Sequence, residues 1–182
     1  SFHQHGPQQQ FGNYGLSFIC NMSFYSELFT GTTLAFSQEQ QRILTSLLLE
    51  GYQWIIWRGY WDVNALNRQL FRNADIDKGF SLLFAAHSLM KSSEPEVADQ
   101  IKKMILRNSS FSQVPNSFTG NKHFRESDYT VHRTPTWLAS VRMASERVIG
   151  TELVNEDNLK GYYMADGALY TYVHGDEYHN IF

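Results

Sequence analysis

Ser109-Ser110-Phe111-Ser112-Gln113-Val114-Pro115-Asn116-Ser117-Phe118-Thr119-Gly120 is the stretch on which the fold turns. It is dense in Ser, Asn, Pro and Gly, residues that favour turns and oppose regular elements, so it reads as a linker. Apolar residues recur with helical period before it and alternate with polar ones after it. The chain is therefore expected to be α+β: a helical unit over residues 1–110, then the start of an antiparallel β unit over residues 111–182.

On the helical side, residues 13 to about 107 carry the helical pattern. Ser37-x-x-Gln40 has the form of a capping box and leads into Ile43, Leu44, Leu47 and Leu48 on one face. Ser93-x-x-Glu96, with Pro95 in the first turn, predicts a second such start before Val97, Ile101, Met104 and Ile105. Between them, Gly79 to Lys91 places Phe80, Leu83, Phe84 and His87 on one side, with His87 partly buried. Gly51 to Asn73 is less regular and rich in aromatics (Tyr52, Trp54, Trp57, Tyr60, Trp61). Successive helix pairs of this kind suit an α/α barrel or toroid.

On the other side, Tyr129-x-Val131 and Trp137-x-Ala139-x-Val141-x-Met143 have the period of half-buried strands. Asp166-Gly167, inside the strand-like run Tyr162 to Val173, predicts a two-residue hairpin turn.

Composition bounds the function. Of 182 residues, 42% are apolar and 15% aromatic, which argues for packed structure and against disorder. A net charge of −3 and a pI near 6.1 speak against general nucleic-acid binding, so an anionic substrate would need locally placed Arg or Lys. The one cysteine, Cys20, excludes an internal disulfide and a cysteine-based zinc site, and its apolar neighbours suggest a core residue. No apolar run reaches membrane-spanning length, and no signal peptide is visible. A start at Ser1-Phe2-His3 and an end at Ile181-Phe182, directly after strand-like sequence, lead us to expect an excerpt of a larger protein. Such a piece should be inactive and poorly soluble by itself.

Four segments carry candidate chemistry. His5-Gly6-Pro7-Gln8 through Tyr14-Gly15 places an imidazole and a phenol nine residues apart, where a loop entering a helix can aim both at one ligand atom. Arg68 and Arg72 stand four apart, on one face if the segment is helical, a spacing suited to gripping a carboxylate or sulfate. Thr151 to Asn158 is a polar loop with Glu152 and Asn155. Asn121 to Arg133 is crowded with titratable groups at the entrance to the β part. Each segment alone reads better as a surface loop, a solvated basic edge, a turn or a solvated strand, respectively.

Together these segments resemble the polysaccharide lyase family that contains chondroitin AC lyase, hyaluronate lyase and xanthan lyase, across essentially the whole chain. The His5–Tyr14 spacing and the His-Gly-Pro-Gln wording resemble its chondroitin AC branch. The resemblance implies the end of an incomplete α/α toroid followed by the first strands of an antiparallel β-sandwich. It implies a carbon–oxygen lyase that cleaves chondroitin sulfate or hyaluronan by β-elimination to 4,5-unsaturated uronyl products, without metal or other cofactor. His5, Tyr14, Arg68 and Glu152 would be catalytic; Arg72, Asn155 and Trp57 would bind the substrate. The partner would be an anionic polysaccharide and not nucleic acid or membrane; the parent enzyme would be monomeric and secreted or periplasmic. Two departures stand out. The family's catalytic Asn lies upstream of this sequence, and Asn67 replaces the Gly that precedes the first Arg. A carbohydrate-binding homologue without turnover and a purely structural helical–β module are the competing readings.

Overall fold

The computed structural model describes residues 2–4, 6–109, 116–153, 155–156 and 158–181. Helices α1 (Leu16–Phe29), α2 (Gln38–Glu50), α3 (Ala74–Lys91) and α4 (Pro95–Asn108) make up the helical part. Ser37 caps α2 as expected: its Oγ accepts from the Gln40 N–H at 3.3 Å, and Gln40 Oε1 accepts from the Ser37 N–H at 2.9 Å. The buried face of that helix is Leu44, Thr45, Leu48 and Leu49, while Ile43 faces out. The second expected box does not form. Glu94 is the N-cap of α4 without a side-chain bond, and Ser93 Oγ instead donates to Leu89 O at the end of α3, 2.6 Å away. A hydroxyl just past one helix can serve that helix's free carbonyls instead of the next helix's amides.

Helix α3 also turns the opposite way from its aromatic stripe. Phe80, Phe84 and His87 are exposed, and Leu82, Ala85, Ala86 and Leu89 are buried. Both faces are apolar, so periodicity could not choose between them; the small side chains let neighbouring backbone come close. Gly79 shows how close: a Cβ there would lie 1.8 Å from Gly59 O. Gly59 belongs to a hairpin that the aromatic segment conceals. Strands β1 (Ile56–Trp57) and β2 (Tyr60–Trp61) are joined by Arg58 and Gly59, both at positive φ (50° and 88°). Paired left-handed residues match the twist of a two-residue hairpin.

Strands β3 (Gly120–Phe124), β4 (Tyr129–Arg133), β5 (Leu138–Met143) and β6 (Asp166–Tyr172) form an antiparallel sheet in chain order. The alternation located β5 correctly but its inward face is reversed: Leu138, Ser140 and Arg142 are buried, and Trp137 and Met143 are exposed. The expected Asp166-Gly167 turn is absent. Gly161–Ala165 is a 3₁₀ helix, and Gly167 (φ 80°) is an extra residue in β6, since Arg142 pairs with Ala168 and Met143 with Asp166. Glycine is the usual residue at such a bulge, so the same dipeptide fits both roles.

One continuous core joins the two parts. Phe11, Leu48, Tyr52, Trp57, Trp61, Ile101 and Met104 pack with Phe124, Tyr129, Val131, Leu138 and Tyr172. Cys20 is only half-buried at its edge, and burial pushes its thiol pKa up.

Candidate active site

A single wide helical turn, Phe11–Gly15, leads into α1 and carries Tyr14, which is half-buried. Asn13 breaks the turn at φ −126°, ψ −105°. The turn is pressed onto the segment after β2: a Cβ on Gly12 would lie 2.6 Å from Ala65 O. Buried Lys78 ties the turn down from below, donating to Gly12 O at 2.5 Å and Gln69 Oε1 at 2.6 Å.

That close approach brings Arg68 to Tyr14. Arg68 lies in a turn after the short 3₁₀ helix Val63–Ala65, with its guanidinium carbon 5.9 Å from the Tyr14 ring centroid. Its Nη1 is 2.8 Å from Glu152 Oε1, and both side chains are largely shielded from water. Glu152 comes from the loop between β5 and β6, 84 residues further on. A phenol, a guanidinium and a carboxylate from three distant segments thus meet at one place. The carboxylate holds the orientation of the guanidinium against the ring.

Asn67 explains its departure from the expected glycine. It sits at φ 59°, the left-handed region that Gly and Asn enter most readily. Its side chain adds what glycine lacks, an Oδ1 that accepts from Arg142 Nη1 at 2.9 Å.

The other expected site residues divide. His5 lies outside the described residues. Arg68 and Arg72 do not share a helical face, because Leu66 to Asn73 is turns and α3 begins only at Ala74; Arg68 is buried and Arg72 exposed. Asn155 is exposed in a turn at φ 62°. Trp57, expected to bind the substrate, is instead a core residue. It is 1% exposed, its Nε1 donates to Val173 O at 3.1 Å, and the Arg133 guanidinium covers its ring at 5.1 Å. Trp54 and Trp61 are buried as well.

Sequence reasoning missed several polar groups buried in the core. Asp62 is fully enclosed and accepts from the Tyr129 and Tyr172 hydroxyls, the latter at 2.8 Å. Burial raises its carboxyl pKa against the pull of those bonds. Arg133, expected on a solvated strand, donates from Nη1 to Gln53 O, Trp54 O and Ile56 O, and burial pulls its pKa down to about 9. Arg142, its pKa lowered by burial to about 10, donates to Asn64 O, Asn67 Oδ1 and Gly150 O. In the sequence Arg133 alone carried a hint, since it shares the parity of Tyr129 and Val131; Arg142 lies on the parity opposite the apolar residues of its strand, and Asp62 lies outside any strand. Among the described residues, no group of three or more His, Cys, Asp or Glu side chains is placed to hold a metal ion. No described helix is long and apolar enough to cross a membrane.

Comparison with known proteins places the fold. Residues 1–107 match the family model described as "Polysaccharide lyase family 8, N terminal alpha-helical domain". Residues 119–182 match "Polysaccharide lyase family 8, super-sandwich domain". Chondroitinase-AC of Pedobacter heparinus is 32% identical over 184 residues, covering 100% of this chain and 26% of that protein. Hyaluronate lyase of Thermasporomyces composti is 25% identical, covering 93% of this chain and 26% of that protein. A solved chondroitinase AC lyase superposes with a TM-score of 0.85 at 28% identity, over 100% of this chain and 27% of its own. A Paenibacillus xanthan lyase shares the fold, with a TM-score of 0.86 at 18% identity over 96% of this chain and 19% of its own. The chain thus spans about a quarter of the length of the curated relatives that it matches along most of its length.

Proposed function

Since this chain belongs to polysaccharide lyase family 8, we propose that Tyr14, Arg68 and Glu152 work in a lyase that cleaves a uronate-containing polysaccharide by β-elimination. The substrate class is chondroitin sulfate or hyaluronan, the polymers that the two matching relatives' names indicate. The observation that carries this reading is the meeting of the Tyr14 ring, the Arg68 guanidinium and the Glu152 carboxylate.

In the reaction, the proton on C5 of the uronic acid lies α to its carboxylate. Tyr14, as phenolate, takes that proton. The C–H electron pair becomes the C4–C5 double bond, the C4–O bond breaks, and the leaving oxygen takes the proton back from Tyr14. Negative charge gathers on the substrate carboxylate before the bond breaks, so its neutralisation is the main electrostatic demand. His5 meets that demand together with the upstream Asn that the family resemblance implies. Arg68 positions the Tyr14 ring for the transfer, and Glu152 fixes Arg68. Arg72 and Asn155, both exposed, contact the sugar or its sulfate. The protein works as a monomer outside the cytoplasm, where polymers of this size are met.

The test is ultraviolet detection of the unsaturated uronyl product from chondroitin sulfate, hyaluronan and xanthan, using the complete protein. Tyr14→Phe should abolish nearly all turnover and leave substrate affinity within about twofold. Turnover near the parent's would refute the assignment. Binding without turnover in the parent would favour the carbohydrate-binding reading.

A further inference from the structure

The described part of the loop that presents Glu152 consists of turns and isolated bridges, and the segment preceding Tyr14 helps to hold it. Gln8 is 2% exposed although its side chain is polar. Its Oε1 accepts from the Glu152 backbone N–H at 2.6 Å and from Thr151 Oγ1 at 3.2 Å. The backbone amide can only donate, so the side-chain carbonyl must be the end that faces the loop. Alongside, Gln8 and Ile149 form an isolated parallel bridge, and the Ile149 N–H donates to Pro7 O at 3.1 Å. Arg142 also holds Gly150 O from the sheet side, and earlier in the loop Ser145 and Arg147 bind the Asp128 carboxylate.

We propose that Gln8 is a positioning residue for catalysis. Its side-chain carbonyl latches the Glu152 loop of the β part to the Tyr14 segment of the helical part, and so sets where Glu152 meets Arg68. This rests on the lyase reading above. The connections close a ring: Gln8 holds Glu152, Glu152 pairs with Arg68, Arg68 faces Tyr14, and Tyr14 lies six residues along the chain from Gln8. Strain or slack at any member is therefore transmitted to the phenol. A glutamine that merely filled space would be replaced without loss by methionine, which has nearly its volume and no such acceptor.

The experiment combines kinetics with amide exchange in the complete protein. Gln8→Met should speed hydrogen exchange at the Glu152 amide by roughly 3- to 10-fold, the value of one lost hydrogen bond. It should lower kcat on the order of 10- to 100-fold with KM within about twofold, as expected when a catalytic group is displaced without loss of binding contacts. In a Glu152→Gln background the same substitution should lower kcat no further, because the latch acts through Glu152. Unchanged exchange, or kinetic losses that simply multiply, would overturn the proposal. Should Gln8→Met fail to fold, Gln8→Glu retains an acceptor oxygen and should keep the amide protected; faster exchange there would overturn it equally. A parent protein that eliminates no uronate polymer would defeat the lyase reading alone, leaving the exchange measurement to decide the latch.

Discussion

Replacing Arg142 by methionine tests whether the buried cation of β5 supports the site or merely survives there. The guanidinium serves three acceptors: Asn64 O at 3.3 Å, Asn67 Oδ1 at 2.9 Å, and Gly150 O. Each would lose a donor where water has little access, at about 1–3 kcal/mol apiece. Against this stands relief from burying a charge. Burial lowers the Arg142 pKa to about 10, which corresponds to about 3 kcal/mol of disfavour for the charged form relative to water. With mid-range values the loss exceeds the relief by about 3 kcal/mol. Urea unfolding followed by circular dichroism would read the difference directly. Because two of the acceptors flank Arg68 and Glu152 in sequence, turnover should fall as well. An Arg142→Met protein as stable as the parent, or more so, would refute the reasoning. It would show that an apolar side chain serves this position as well, as happens at some buried ion pairs.

Arg72 is exposed where Arg68 is buried, so Arg72→Ala should raise KM more than it lowers kcat, and Arg68→Ala should do the reverse; steady-state kinetics showing one pattern for both would sink this division. Asp128, in a left-handed turn at φ 43°, accepts from Ser145 Oγ and Arg147, and these hold its carboxyl pKa below the usual range. A depressed folded-state pKa stabilises above the unfolded value near 3.9 and is lost as pH falls through the folded one. Asp128→Asn, which keeps the turn, should therefore lower Tm at neutral pH and leave it unchanged in strong acid; a deficit that persisted into strong acid would contradict this.

Much of this protein was legible before any coordinates. The change of period across Ser109 to Gly120 separates helices from antiparallel strands, and the capping box at Ser37 is formed as written. Tyr14, Arg68 and Glu152 were singled out through the family resemblance rather than by local pattern, and tertiary structure brings them together. What periodicity supplies is which residues share a face; it does not say which face turns inward. On α3 both faces are apolar, and the neighbours admit the small one. On β5 Arg142 turns inward because its acceptors lie on the inner side, two of them supplied by the remote segment Asn64 to Asn67 and the third by Gly150 in the following loop. The same reason puts Arg133 against Trp57, Asp62 beneath two tyrosines, and the Gln8 carbonyl on the Glu152 loop. A buried polar group is tolerable only with its partners in place. Those partners are fixed by tertiary approach, so local sequence determines the elements and their candidates, and the packing alone decides which of them become interior and which become a site.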